Sequence, residues 1–142
     1  MSLSKPVITL YTDTGINMVD INDPATINVG ISEFTMVTMA CGLASEGYKV
    51  FTHAVTPHYL RAWEAVRTLL VPGNYDVTLI GSGEGDDYSS LGHTHQMDKG
   101  EMLYYCYGAK ICYMLINSRN ELNDYMKFDG PLFLQVPKRA IK

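Results

Sequence analysis

Basic residues are in short supply. Lys and Arg total 11 against 15 Asp and Glu, giving a net charge of −4 over 142 residues. With a pI near 5.4, the chain lacks the electrostatic footprint of a nucleic-acid binder. Long apolar runs are also missing: none approaches the ~20 residues of a membrane span, and the first residues have no signal-peptide core. Met1 to Ser4 read as a disordered start or an expression remnant, leaving 5–142 as one domain. Cysteine is sparse too. Cys41, Cys106 and Cys112 are odd in number, match no zinc spacing and have apolar neighbours. Buried structural thiols in a reducing cytoplasm are the expectation.

What remains is an ordinary globular composition, 46% hydrophobic and 18% charged, long enough for a sizeable core. Apolar runs alternate with helical patterns. Strands are predicted at Val7 to Tyr11, Ile27 to Val29, Val50 to Ala54, Asp76 to Ile80, Lys110 to Ile116 and Leu132 to Val136. A helix capped by Ser32 runs from Glu33 to about Glu46, with Gly47 at its left-handed end. Pro57 opens another, ending before Val71-Pro72-Gly73-Asn74. A third is predicted over Asp98 to about Tyr107, and Ser118-Arg119-Asn120-Glu121 has the form of a capping box before a short one. This alternation implies a three-layer α/β fold with a mostly parallel six-stranded sheet and helices on both faces. In such sheets, sites form at the carboxyl ends of strands: Thr12 to Gly15, Gly30 to Glu33, Ala54 to His58 and Gly81 to Gln96.

The helix beginning at Glu33 carries Phe34, Val37, Cys41 and Ala44 on one stripe. Met36, Met39, Ala40 and Leu43 extend the apolar surface around most of its cylinder, so it packs in the core or against another chain. A carboxylate at its first turn complements the helix dipole. So close to an apolar helix it also risks desolvation, which raises a carboxyl pKa and allows a proton to be shared with a basic ring nitrogen. All four histidines (His53, His58, His93, His95) fall in the central stretch. His93 and His95 could bind zinc with Asp98, lie in a solvated loop, or hydrogen-bond a substrate. Gly81-Ser82-Gly83-Glu84-Gly85 lacks the Lys-Ser/Thr of a phosphate loop.

Together, Ile27 to Glu33, Met36-Val37, Ala40 to Ala44, Arg61-Ala62-Trp63-Glu64, Leu91 to Gln96 and Asp129 to Leu134 resemble the central, pyrimidine-binding domain of transketolases and deoxyxylulose-phosphate synthases. The resemblance implies thiamine diphosphate held between two chains, with only its aminopyrimidine half on this one. Glu33 would hydrogen-bond the N1′ atom, favouring the imino tautomer whose 4′ nitrogen deprotonates the thiazolium. His95 would contact substrate oxygens. Asp13, Val55 and His58 would lie beside the cofactor, with His58 standing where relatives commonly place a phenylalanine. The reaction implied is ketol transfer between sugar phosphates. No Gly-Asp-Gly metal motif occurs here, since Gly85-Asp86 is followed by Asp87. Magnesium or calcium would therefore be held by a partner diphosphate-binding subunit, in a homodimer or heteromer. On this reading the chain is a split subunit or a fragment, inactive alone. The alternative is a non-catalytic interaction module that keeps the fold and has lost thiamine activation.

Overall fold

A computed structural model describes residues 5–12 and 19–140. Six strands form one sheet: β1 (Val7–Tyr11), β2 (Thr26–Asn28), β3 (Lys49–Val55), β4 (Val77–Ser82), β5 (Cys112–Leu115) and β6 (Leu132–Val136). Their spatial order is β2-β1-β3-β4-β6-β5. Every pairing is parallel, so the expected mostly parallel sheet is wholly so.

Side chains alternate across this sheet, as the two-residue repeat of a strand requires. On one face Val50 and Ala54 of β3, Val77 and Leu79 of β4 and Phe133 of β6 join a core. It is roofed by α1 (Glu33–Ser45), by the helical rod that follows β3, and by α4 (Glu101–Ala109). On the other face Phe51, Ile80, Leu132, Leu134 and Val136 pack beneath α5 (Arg119–Tyr125), with Leu122 and Tyr125 against them.

The rod after β3 is not a uniform α-helix. A 3-10 stretch, Thr56–Ala62, leads into α2 (Trp63–Ala65), then a π-helical segment Val66–Leu70 and α3 (Val71–Gly73). The helix thus continues through Val71-Pro72-Gly73, where the sequence predicts its end. The wide π turn resets the register, so Pro72 falls in the first turn of α3, where no N–H is needed; Asn74 closes the rod at φ 48°. Similarly, α4 starts at Glu101 rather than Asp98 because Gly100, at φ 83°, sits in the left-handed region. Lys110, at φ 60°, caps that helix instead of opening β5.

Two packing expectations change. Cys41 and Cys106 are buried, but Cys112 is exposed, because β5 is an edge strand. In α1 the buried stripe is Met36, Val37, Ala40 and Cys41, together with Glu33, while Phe34 turns outward at 49% exposure. Among the described residues no helix is long and apolar enough to cross a membrane.

Candidate functional site

Strand order reverses beside β1: the chain steps outward to β2, then crosses by α1 to β3 on the other side. In parallel sheets the crevice at such a reversal lies beyond the carboxyl ends of the strands. Three connections bring side chains there.

The first follows β2. Asn28 Oδ1 accepts from Gly30 N at 2.8 Å, and Ser32 N donates to Gly30 O at 2.9 Å. Gly30 sits at φ 72°, a conformation that costs a β-carbon-bearing residue about 1 kcal/mol or more. This tight turn delivers Glu33 as the first residue of α1. Ser32 occupies the N-cap position, but its hydroxyl bonds the Thr35 hydroxyl at 2.6 Å rather than a helix N–H. The Glu33 carboxylate, 2% exposed, lies where the helix dipole favours negative charge.

The second connection follows β3. Val55 is buried at the strand end. Thr56 Oγ1 donates to the carbonyls of Ser82 at 3.1 Å and Gly83 at 2.8 Å, anchoring the 3-10 turn to β4. Residues three apart eclipse in a 3-10 helix, so His58 and Arg61 project together. Both reach the same oxygen. Arg61 Nη1 donates to Glu33 Oε1 at 3.0 Å, and His58 Nδ1 lies 3.5 Å from that atom, too far for a well-formed bond. His58 is 6% exposed, and neither ring nitrogen has a hydrogen-bond partner among the described residues. Burial pulls its pKa down, the Arg61 guanidinium and His95 act in the same direction, and Glu33 and the Thr94 backbone oppose them.

The third connection follows β4. Glu84 accepts from Arg139 Nη1, Asp87 accepts from the Lys138 backbone N–H at 2.9 Å, and Gly83 O accepts from Gln135 Nε2 at 3.0 Å. The Lys138 ammonium lies 4.0 Å from the centre of the Tyr88 ring. These ties fasten the loop to the end of β6. The loop then delivers His95, whose ring meets His58 edge-on at 4.7 Å between centroids; Thr94 Oγ1 lies 3.0 Å from His95 Nδ1.

Glu33 and His95 thus each lie against His58. Asp13 lies outside the described residues. His53 is separate: it is buried in β3, where burial pushes its pKa down to about 4. His93 is exposed and borders a cavity of about 550 Å³ that also touches Gln96, Asp98, Lys99 and Glu101. Among the described residues no group of three or more His, Cys, Asp or Glu side chains is placed to hold a metal ion.

Arg61 is the residue to which the sequence analysis assigns no role beyond its place in the block Arg61-Ala62-Trp63-Glu64. Its contact with Glu33 spans 28 positions, and the visible signal is its offset of three from His58 within a turn opened by Pro57. The desolvated carboxylate expected from sequence thus has a counter-charge.

The cluster suits a planar heterocycle with basic and donor nitrogens. A buried carboxylate can share a proton with a ring nitrogen, and an imidazole with both nitrogens unpaired calls for polar partners. A purely apolar ring would leave those nitrogens unsatisfied.

Comparison with known proteins agrees. The family model described as "Transketolase, pyrimidine binding domain" matches residues 12–140. A "Putative transketolase C-terminal section" from Methanocaldococcus jannaschii is 25% identical over 116 residues, covering 79% of this chain and 37% of that protein. Among solved structures, one described as a split-gene transketolase, an inactive β4 tetramer, superposes with a TM-score of 0.72 at 18% identity. It covers 91% of this chain and 44% of that one. The transketolase of Campylobacter jejuni superposes at 0.74 with 15% identity, over 92% of this chain and 22% of that one. This chain spans less than half the length of these relatives. By the match over residues 12–140, the chain belongs to the pyrimidine-binding domain family of transketolases.

Proposed function

We propose that this chain is the pyrimidine-binding component of a two-component, thiamine diphosphate-dependent enzyme that transfers ketol units between sugar phosphates. The observation that carries this reading is Glu33: a carboxylate buried at a helix N-terminus, at the carboxyl edge of the sheet, beside a buried imidazole that has no hydrogen-bond partner among the described residues. Glu33 would hold a proton against N1′ of the aminopyrimidine. His58 would offer its unpaired nitrogens to the ring or its amino group, in place of a purely apolar stacking face. His95, half-buried against His58, would hydrogen-bond substrate hydroxyl or carbonyl oxygens. Bound there, thiamine diphosphate would supply the electron sink for breaking the carbon–carbon bond beside a ketose carbonyl. Asp13 and Val55 remain part of the proposed cofactor surround, Val55 through its place at the end of β3.

The diphosphate and its magnesium or calcium ion would sit on a partner subunit. Ile31, 70% exposed, and Phe34, 49% exposed, flank Glu33 in the chain. Exposed apolar side chains so near the proposed site support coverage by another chain. The similar structure described as an inactive β4 tetramer of a split-gene transketolase supports the view that such a chain is inactive without its companion.

A second reading, a binding module without catalysis, is favoured by His58, a polar ring buried where an apolar stacking face would serve the cofactor better. One experiment separates the two. The chain is mixed with a candidate subunit carrying a Gly-Asp-Gly metal motif, thiamine diphosphate and magnesium, and ketol transfer is followed. The expected outcome is activity that Glu33→Gln lowers by on the order of 10²- to 10⁴-fold, the scale of a positioned proton-transfer group. Assembly without activity across such partners supports the module.

A further inference from the structure

We propose that Arg61 is a positioning residue: its guanidinium holds the Glu33 carboxylate apart from His58, so that the acid stays available to a ring ligand. The consequence for the cofactor rests on the pyrimidine-binding reading, but the geometry does not.

Glu33 Oε1 faces two possible partners. Arg61 Nη1 is at hydrogen-bonding distance, 3.0 Å, and His58 Nδ1 stands off at 3.5 Å. The two partners differ in freedom. The Arg61 side chain is 49% exposed and can withdraw into water, whereas His58 is nearly enclosed and cannot leave. Arginine is charged throughout the physiological range. While it holds Oε1, a second cation beside it is disfavoured, and His58 remains neutral with its nitrogens unpaired. Three groups face His58: Glu33 from α1, Arg61 from its own turn, and His95 from the loop after β4. Of these, only Glu33 favours an imidazolium.

Removing Arg61 leaves His58 as the remaining partner of Glu33 Oε1 among the described residues. The imidazole then takes a proton, closes the 3.5 Å gap and consumes the carboxylate in an internal pair. A ring nitrogen arriving later must break that pair. Arg61 prevents it by an interaction weak enough, at its exposed end, to be given up. The arrangement therefore keeps the carboxylate in place without committing it to a buried partner.

The test is an NMR titration of the His58 imidazole in this chain, which requires neither partner nor cofactor. In wild type the midpoint lies below the ordinary histidine value. In Arg61→Gln it should rise by about one pH unit, a tenfold change in proton affinity. Arg61→Lys should return it towards wild type. In Glu33→Gln the removal of Arg61 should still raise the midpoint, but leave it below that of Arg61→Gln alone. A His58 midpoint unmoved by Arg61→Gln, or moved equally by Arg61→Lys, overturns the proposal. The underlying reading fails separately: if His58 behaves as stated while Glu33→Gln leaves thiamine diphosphate binding by the assembled enzyme unchanged, Arg61 positions Glu33 for something other than a pyrimidine.

Discussion

Gly81→Ala should destabilise the chain although alanine suits a strand better than glycine. Gly81 lies on β4 between Ala54 of β3 and Gln135 of β6. A β-carbon there would meet Thr56 Oγ1 at 2.8 Å and Phe133 Cζ at 2.9 Å. Neither neighbour can yield cheaply. Thr56 is fixed by its bonds to the Ser82 and Gly83 carbonyls, and Phe133 is fully buried, edge-on to Tyr59 at 5.2 Å and stacked with Tyr113 at 6.3 Å. Overpacking of this kind costs about 1–3 kcal/mol. Loss of the Thr56 bonding would add ~1 kcal/mol, and the lower entropy of the unfolded alanine chain returns ~0.4–1 kcal/mol. The net expectation is roughly 1–3 kcal/mol, or a melting temperature lower by about 3–10 °C for a domain of this size. Thermal and urea denaturation followed by circular dichroism measure it. Gly42→Ala is the control. Gly42 lies within α1 and a β-carbon there meets nothing within 4 Å, so helix propensity alone should stabilise by about 0.5–1 kcal/mol. A Gly81→Ala chain as stable as wild type, or a Gly42→Ala chain less stable than Gly81→Ala, refutes the reasoning.

At the opposite end of the sheet, Asp76 accepts from Lys49 at 2.9 Å, Lys5 at 2.7 Å and the Gly130 N–H at 3.1 Å. Asp76→Ala would leave the buried Lys49 ammonium bonded to the Phe128 carbonyl but without its counter-charge, and should cost about 3–5 kcal/mol, measured by urea denaturation near neutral pH. Burial alone would raise the Asp76 pKa, but the hydrogen bonds from Lys5, Lys49 and Gly130 outweigh it and hold the carboxyl below its usual range. With a folded-state value lower than the unfolded one, its stabilisation is full above the ordinary aspartate value and fades as pH falls through the lower one. The gap between wild type and Asp76→Ala should therefore narrow in acid; a constant gap contradicts the assignment. For the thiols, burial pushes Cys41 up to about 11 and Cys106 up to about 12, while Cys112 is exposed. A thiol reagent at neutral pH should label Cys112 quickly and the other two only after unfolding, read by mass spectrometry.

Central strands were the most legible part of the sequence. Leu132–Val136 is buried at every position, and such a run has one reading whichever neighbours it finds. Strand order was not legible, and neither was the exposure of Cys112, because whether a strand lies at an edge depends on pairings distant in sequence. Helix ends failed where a single backbone angle decides them, as at Gly100 and Lys110, or where a π turn absorbs a proline. At the site, the residue types of Glu33, His58 and His95 were visible, and their convergence followed from strand ends meeting at one edge of a parallel sheet. The Arg61 contact was not visible. A contact across 28 positions leaves no mark in local patterning, and only the 3-10 geometry turns Arg61 alongside His58.

The carboxylate of Glu33 meeting N1′ is tested most directly by a cycle that alters both atoms. Thiamine diphosphate and an analogue with C–H in place of N1′ are each titrated into the assembled two-component enzyme, with wild-type chain and with Glu33→Ala. If the two groups act on each other, replacing N1′ weakens binding to wild type but scarcely matters once Glu33 is gone. Losses that simply add, the analogue being penalised equally in both proteins, would contradict the assignment of Glu33 to the pyrimidine.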